Sequence, residues 1–228
     1  MNKNYLINSL PKKTQSIFFS KSELIELKLS QITCLVDHPT EFLFFPVDGF
    51  ISITQRIDDH ASLEVGMIGR EGVLGSEVIL GINSNPFGAI VQGAGNAWKI
   101  SAQEFLNEVD TCREFHKVMC AYISVRLCQL SLSVACEHFH EIGPRLAKWL
   151  LMSQDRAQSP IFLMTHEFIS LVLGVRRVGV TTSAFNFKQR GLIEYTRGEM
   201  RVLDRKALML EACSCYQRNR RIFSAFIQ

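Results

Sequence analysis

Arginine and threonine side chains cluster between residues 165 and 201, and their chemistry suits hydrogen bonding to nucleic-acid bases. Arg176 and Arg177 carry N–H donors that match the N7 and O6 acceptors of guanine. Thr181 and Thr182 follow about one helical turn later and offer a hydroxyl group together with a methyl group for thymine. The residues predicted to contact DNA are Thr165, Arg176, Arg177, Thr181, Thr182, Lys188, Arg197 and Arg201.

The same segment has the spacing of two short helices joined by a glycine turn. Thr165 is a candidate N-cap, Gly174 can take the left-handed conformation that ends a helix, and a second helix starts near Arg176. The inward stripe of this second helix is formed by Val180, Ala184 and Phe187. Such a unit is a helix-turn-helix, whose second helix meets base edges in the major groove.

Two further features of the C-terminal third favour a polyanionic partner. The segment IEYTRGEMRVLD predicts a β-hairpin wing, in which Arg197 and Arg201 are placed to contact phosphates. Residues 139–228 hold 14 basic and 7 acidic residues, a net charge of +7, whereas residues 1–138 hold 11 and 15, a net charge of −4. Neutralised phosphates release counterions, and this release drives binding to nucleic acid.

The N-terminal part has the pattern of a small antiparallel barrel or jelly roll. Between residues 24 and 100, six runs of alternating polarity are separated by Gly, Pro, Asn and Asp turns; the runs are LIELKL, EFLFFP, GFISITQRI, SLEVGMI, GAIVQG and NAWKI. After Ser101, glycine and proline disappear until Gly143, and apolar residues recur at helical spacing over roughly 25 residues. A coiled-coil-like seam, the predicted dimer interface, comprises Phe115, Val118, Tyr122, Val125, Gln129 and Leu132.

These patterns place the chain in the α+β class. We expect an N-terminal antiparallel jelly roll at residues 1–110, a long dimerisation helix at 111–140 and a C-terminal winged helix-turn-helix at 141–228. The best apolar stretch, Cys120 to Cys136, contains Arg126 and Gln129, so no transmembrane helix is predicted. The N-terminus shows no secretory signal. A cytoplasmic protein without a membrane partner is the expectation.

The seven cysteines are expected to be free thiols, because they are odd in number and the predicted compartment is reducing. Those on the long helix recur every eight residues, and each step rotates by about 80° beyond full turns, which excludes a metal site built from that helix alone. Cys136 is expected to be a small, buried packing residue. Cys213 and Cys215 are interpreted as packing residues, and His138 and His140 as surface residues at a helix end. No metal and no cofactor is predicted.

The order of barrel, long helix and winged helix resembles the Crp/Fnr family of bacterial transcription regulators. The motifs that carry the resemblance are MIGREGVLG, RLAKWLLM, LGVRRVGVT and LDRKALMLEACSCY, spread over nearly the whole chain. The resemblance implies a homodimer that reads a palindromic DNA site, with each barrel facing a small-molecule or redox signal. RNA polymerase and an unidentified small-molecule effector are further candidate partners.

This sequence departs from the cyclic-nucleotide-binding members of that family. Val73 stands where they carry a ribose-binding Glu, and Phe87 and Gly88 stand where they carry a phosphate-binding Arg and Ser, so cyclic AMP is not the expected effector. The iron–sulfur branch uses a cysteine cluster ahead of the barrel, which is missing here. The candidate effector pocket comprises Arg70, Glu71, Gly72, Val73, Leu74, Gly75, Phe87 and Gly88.

Two functions from different classes follow. The first is a sequence-specific DNA-binding regulator that acts by binding and not as an enzyme. The second is a cupin-like barrel metalloenzyme with a helical accessory domain, which needs metal ligands inside the barrel. Between residues 24 and 100 the only histidines are His38 and His60, and they do not form a His-x-His pair.

Overall fold

The N-terminal part of the structure is a barrel of two antiparallel sheets. The computed structural model describes residues 4–56, 58, 62–159, 161–196 and 198–226. The barrel strands are β1 (Glu23–Leu27), β2 (Ile32–Cys34), β3 (Phe42–Pro46), β4 (Phe50–Gln55), β5 (Leu63–Ile68), β6 (Gly88–Gly93) and β7 (Gly95–Ser101). One sheet has the order β1-β7-β3 and the other β2-β6-β4-β5.

Strand β4 organises the larger sheet because it pairs with β5 on one side and with β6 on the other. Ile51 lies opposite Ile68 and also opposite Val91, and all three side chains are buried. The short strand β2 and the register shift at Ile32 to Cys34 were not predicted, since three residues are too few to show alternation.

Two helices precede the first strand in the sequence and pack against the barrel. Helix α1 (Tyr5–Asn8) and helix α2 (Lys12–Lys21) are both absent from the sequence prediction. The side-chain oxygen of Asn4 caps α1, and its amide group donates to the carbonyl oxygens of Pro46 and Gly72, each at 2.9 Å. These hydrogen bonds join residues that are 42 and 68 positions apart in the sequence, so local periodicity could not predict them.

Three helices connect the barrel to the C-terminal domain. They are α3 (Ala102–Thr111), α4 (Arg113–Phe139) and α5 (Ile142–Ala157). The Ser101 hydroxyl group caps α3 by accepting from the backbone N–H of Glu104. Helix α4 is 27 residues long, close to the predicted length.

By length and composition alone, α4 is a candidate membrane span, which corrects the sequence expectation that no segment qualifies. In the structure, however, α4 packs against the barrel along its first half and against a C-terminal helix along its second half. Arg126 lies in the middle of α4 and donates to the carbonyl oxygen of Met67 in β5. A helix in the core of a soluble protein can pass the same test of length and composition.

Most of the predicted dimer seam on α4 packs within the chain's own fold. Phe115, Tyr122, Val125 and Gln129 are buried within a single chain, while Val118 and Leu132 are half-buried. Phe115, Tyr122 and the adjacent Val118 pack on the barrel core. The spacing was recognised correctly, but sequence periodicity cannot tell an intramolecular contact from an intermolecular one.

The C-terminal domain has the predicted winged helix-turn-helix arrangement. Its elements are β8 (Ile161–Leu163), α6 (His166–Leu173), α7 (Arg177–Gln189), β9 (Ile193–Thr196), β10 (Glu199–Val202), α8 (Arg205–Glu211) and α9 (Cys215–Phe226). The sheet order is β8-β10-β9, so β8 adds a strand to the predicted hairpin. The core joins α5, α6 and α7 through Leu146, Leu150, Ile169, Val180 and Ala184. The α+β class with barrel, long helix and winged helix is confirmed.

Candidate nucleic-acid interface

The turn between α6 and α7 is built by the residues that the sequence identified. The Thr165 hydroxyl group accepts from the backbone N–H of Phe168 at 3.1 Å and so caps α6. Gly174 ends α6 with φ of +61°, a conformation that favours glycine. Helices α6 and α7 meet at 114°, within the range of helix-turn-helix units.

Helix α7 separates an inward face from an outward face. Val180, Ala184 and Phe187 are buried as predicted, and they hold the helix on α5 and α6. The predicted base-contacting residues on the other face are all exposed; they are Arg176, Arg177, Thr181, Thr182 and Lys188. The exposed outward face also contains Val178 and Phe185, which sequence reasoning missed although both follow from the helical spacing.

Short-range contacts hold several of these exposed side chains in place. Arg177 forms an exposed ion pair with Glu167 of α6 at 3.4 Å. The Thr181 hydroxyl group lies 3.3 Å from Nδ1 of His166. Lys188 lies over the ring of Tyr195 in β9, with its Nζ 4.8 Å from the ring centroid. An exposed ion pair is weak, so Arg177 can exchange Glu167 for another acceptor at little cost.

The wing lies beside the helix-turn-helix. In its hairpin Arg201 pairs with Glu194 and is exposed, and Gly198 makes the turn with φ of +86°. Thr165 lies next to this turn, since a Cβ on Gly198 would lie 3.4 Å from its Cγ2 atom. Arg197, the other predicted phosphate contact, lies outside the described residues.

Half of the predicted effector pocket forms a cavity between the barrel and α4. Val73, Leu74, Gly75 and Phe87 line a mostly apolar space of about 380 Å³ together with side chains of α4. The α4 residues are Ile123, Arg126, Leu127 and Leu130. Gly72 lies outside this lining and against Tyr122, whose hydroxyl group donates to the carbonyl oxygen of Val73 at 3.1 Å.

The other predicted pocket residues lie elsewhere, so the eight residues do not form one site. Arg70 and Glu71 line a different cavity of about 330 Å³, which faces α5 and α9. Arg70 lies over the ring of Tyr5, and Glu71 forms an ion pair with Arg156 at 2.6 Å. Gly88 faces Thr54 in the neighbouring strand. Adjacent positions in a turn point in different directions, which separates Glu71 from Val73.

The barrel also contacts the helix-turn-helix directly. Helix α6 packs on β5, and Leu63 lies within 3.1 Å of the position that a Cβ on Gly174 would take. Glu64 connects the same strand to α5, because it accepts a hydrogen bond from Nε1 of Trp149 at 2.9 Å and another from the Ser52 hydroxyl group. Desolvation raises the pKa of Glu64 to about 7, although these two hydrogen bonds and the charges of Arg156 and Lys148 oppose the rise.

We expect Glu64 to make the stability of the protein fall as pH rises. Its carboxyl group is neutral in the folded chain up to about pH 7 but ionises near pH 4.5 in the unfolded chain. The folded state therefore holds the extra proton, and up to about 3 kcal/mol is lost between these two values. Thermal denaturation over this pH range should show a smaller loss for Glu64→Gln, whose amide keeps both hydrogen-bonding positions.

The matched control is Glu23→Gln, at an exposed glutamate on β1. It should follow the pH dependence of the unmodified protein. Equal slopes for Glu64→Gln and the unmodified protein would contradict the assignment of this titration to Glu64.

Comparison with known proteins agrees with this geometry. Residues 144–210 match the family described as the Crp-like helix-turn-helix domain, a range that runs from α5 into α8. The helix-turn-helix, the wing and the supporting α5 all lie inside it. Residues 144–210 are a Crp-like helix-turn-helix domain.

Solved structures of Crp/Fnr regulators extend this likeness to the fold of the whole chain. FixK2 from Bradyrhizobium japonicum superposes with a TM-score of 0.71 at 14% identity, over 85% of this chain and 98% of that chain. TTHB099, a CRP-family transcriptional regulator from Thermus thermophilus, superposes with a TM-score of 0.69 at 15% sequence identity. The match covers 82% of this chain and 96% of that chain. The c-di-GMP responsive regulator CLP from Xanthomonas campestris superposes with a TM-score of 0.68 at 13% sequence identity. The match covers 85% of this chain and 100% of that chain. No curated protein sequence matches this chain.

The Crp/Fnr fold therefore includes the barrel, α4 and the Crp-like helix-turn-helix domain. Among the described barrel residues the only histidine is His38, which is exposed, with Nδ1 3.0 Å from the carbonyl oxygen of Val36, and His60 lies outside the described residues.

Proposed function

We propose that this protein is a homodimeric, sequence-specific DNA-binding transcription regulator that acts in the cytoplasm on a palindromic site. In this proposal residues 1–110 sense a signal, residues 111–140 dimerise and residues 141–228 bind DNA. The observation that carries the proposal is the outward face of α7, where Arg176, Arg177, Thr181 and Thr182 are exposed while the opposite stripe is fully buried.

The exposed face of α7 has the chemistry of direct base readout. Arg176 and Arg177 lie at the start of the helix, which is the end that enters the major groove in helix-turn-helix proteins. Arg201 on the wing and Lys188 near the end of α7 supply positive charge on either side for the phosphate backbone. The proposal thus assigns base contacts to the start of α7 and phosphate contacts to Lys188 and Arg201.

The second copy is proposed to pair along the exposed face of α4. Leu127 and Val134 are 61% and 70% exposed, which is unusual for large apolar side chains on a long helix. With the exposed Cys120 and the half-buried Ile123 and Leu130 they form a stripe spaced by three and four residues, part of which borders the cavity between the barrel and α4. This stripe replaces the seam predicted from sequence, and we expect the pair to read two half-sites about 34 Å apart.

The cavity beside α4 is proposed to hold the effector, a small and mostly apolar molecule. Val73 and Phe87 supply no hydrogen bond to a ribose or a phosphate, so cyclic AMP is not the proposed ligand. Ile123, Leu127 and Leu130 belong both to the cavity lining and to the proposed dimer stripe. A ligand can therefore shift the relative placement of the two DNA-binding domains through its differential affinity for two placements of α4.

Selection of bound fragments from genomic DNA by the purified chain tests the proposal. We expect an inverted repeat with half-sites one helical turn apart and a steep loss of affinity with salt. Absence of binding to any duplex at low ionic strength would overturn the proposal.

Arg177→Ala is expected to lower affinity for the selected site by about 1 to 3 kcal/mol and to relax the preference at one base position per half-site. Arg201→Ala is expected to weaken binding to all duplexes alike, because a phosphate contact carries no sequence information. Fluorescence anisotropy with the selected site and with single-base variants measures both effects.

Arg113→Ala is the charge-matched control, since Arg113 is exposed at the start of α4. It should leave both affinity and base preference unchanged. If Arg177→Ala also changes neither, α7 is not the recognition helix.

A further inference from the structure

Three cysteines and one histidine from two distant segments meet where α4, α5 and α9 come together. Cys136 and His140 lie at the C-terminal end of α4, and Cys213 and Cys215 lie between α8 and the start of α9. One ligand atom from each residue can be chosen so that all four lie within 4.8 Å of one another. The three cysteines are buried and His140 is half-buried.

Two of the ligand–ligand distances within this cluster match those of a tetrahedral metal site. With metal–sulfur and metal–nitrogen bonds of the length that Zn²⁺ forms, tetrahedral ligands lie about 3.8 Å apart for two sulfurs and about 3.6 Å apart for sulfur and nitrogen. Cys136 Sγ lies 3.6 Å from Cys213 Sγ, and Cys215 Sγ lies 3.7 Å from His140 Nδ1. A disulfide would need a separation of about 2.05 Å.

The charge around the cluster also suits three thiolates and a divalent cation. Lys148 of α5 donates from Nζ to Cys136 Sγ at 3.2 Å. Three thiolates, one Zn²⁺ ion and the Lys148 ammonium group together carry no net charge.

Backbone contacts fix the ligands before any ion binds. The N–H of His140 donates to the carbonyl oxygen of Cys136, which closes the last turn of α4 and puts both side chains on one face. The N–H of Cys213 donates to the carbonyl oxygen of Pro144 in α5. Preorganisation of this kind lowers the cost of ordering ligands around a metal.

We propose that Cys136, His140, Cys213 and Cys215 bind one Zn²⁺ ion in a structural site that ties the end of α4 to the connection between α8 and α9. Thiolate and imidazole ligands suit Zn²⁺, and four protein ligands fill its tetrahedral shell, leaving no open position for catalysis. His140 also lies at the junction of α4 and α5, so the ion fixes the DNA-binding domain relative to the long helix.

Metal analysis of the full-length chain tests the site. Protein purified under reducing conditions without chelator is expected to contain one zinc per chain by plasma mass spectrometry. Cys215→Ser and His140→Ala are expected to lose stoichiometric zinc, and Lys148→Met to weaken zinc affinity by about tenfold or more. Cys128→Ser is the matched control, because Cys128 is a half-buried thiol of the same helix outside the cluster.

A second readout uses the unmodified chain, so that it does not depend on the folding of any variant. Metal-stripped protein titrated with Co²⁺ is expected to give the visible bands of tetrahedral cobalt and a thiolate charge-transfer band, both abolished by Zn²⁺. The proposal is overturned if stripped protein shows no such bands, if iron replaces zinc in the purified chain, or if Cys128→Ser loses as much zinc as Cys215→Ser.

Discussion

Replacing Val125 by aspartate is expected to unfold the chain, whereas the same change at Leu127, two residues further along α4, is expected only to separate a dimer into folded monomers. Val125 is fully buried inside one chain, so a carboxylate there has neither water nor a partner. The loss is expected to exceed about 4 kcal/mol, a large part of the stability of a typical domain.

Leu127 lies on the other face of the same helix and is 61% exposed in a single chain. A charge there costs a monomer little, but in a dimer it brings two like charges into an apolar contact that offers them no partner. Circular dichroism measures folding, and sedimentation velocity measures the oligomeric state. Loss of the dimer without loss of helix signal is the expected outcome for Leu127→Asp.

Leu210→Asp is the matched control, since Leu210 of α8 is 87% exposed and lies outside α4. It should change neither folding nor the oligomeric state. An intact dimer for Leu127→Asp would show that the exposed stripe of α4 is not the dimer interface, and a stably folded Val125→Asp chain would show that Val125 is not enclosed.

Removal of the Glu71 carboxylate is expected to cost about 3 to 5 kcal/mol. Its ion pair with Arg156 is only 17% and 9% exposed at the two side chains, and it joins the turn after β5 to α5 of the DNA-binding domain. Glu71→Ala leaves the Arg156 charge buried without its partner, which costs more than the pair itself contributes. For a chain of this size the melting temperature should fall by about 10 °C.

Two comparisons isolate the buried charge as the cause. The double variant Glu71→Leu, Arg156→Met removes both charges and should recover most of the stability. Glu211→Ala removes the acid from a more exposed Arg–Glu pair, with Arg190 half exposed, and should lower the melting temperature far less. Equal losses for Glu71→Ala and the double variant would contradict this explanation.

The helix-turn-helix could be predicted from sequence because its determinants are local. Thr165, Gly174 and the stripe of Val180, Ala184 and Phe187 all act within 25 residues, and each has the role expected of it. The outward position of Arg177 then follows from helical geometry alone.

The parts that sequence could not predict depend on contacts between distant residues. The inner stripe of α4 was recognised, but its spacing did not show that Phe115, Val118 and Tyr122 pack on the barrel of the same chain. The eight candidate pocket residues were predicted to form one site. The turn, however, directs Glu71 toward α5 and Val73 toward the cavity.

The cysteine cluster was missed for the same reason, because His140 and Cys213 are 73 residues apart and helical spacing relates only residues of one helix. The spacing of Cys136 and His140, one helical turn, together with Cys213-x-Cys215, was the signal that could have found it.

Only His140 and Glu141 separate α4 from α5, and this short junction has a consequence for the genome positions that the protein can occupy. In the proposed dimer, a connection of two residues holds each DNA-binding domain at a position that is set by the paired α4 helices. Inserting or deleting a single base pair between the half-sites turns one of them by about 34° and moves it by about 3.4 Å. A two-residue connection leaves neither DNA-binding domain free to follow such a change. We therefore expect affinity for DNA to depend on spacer length as strictly as on base sequence.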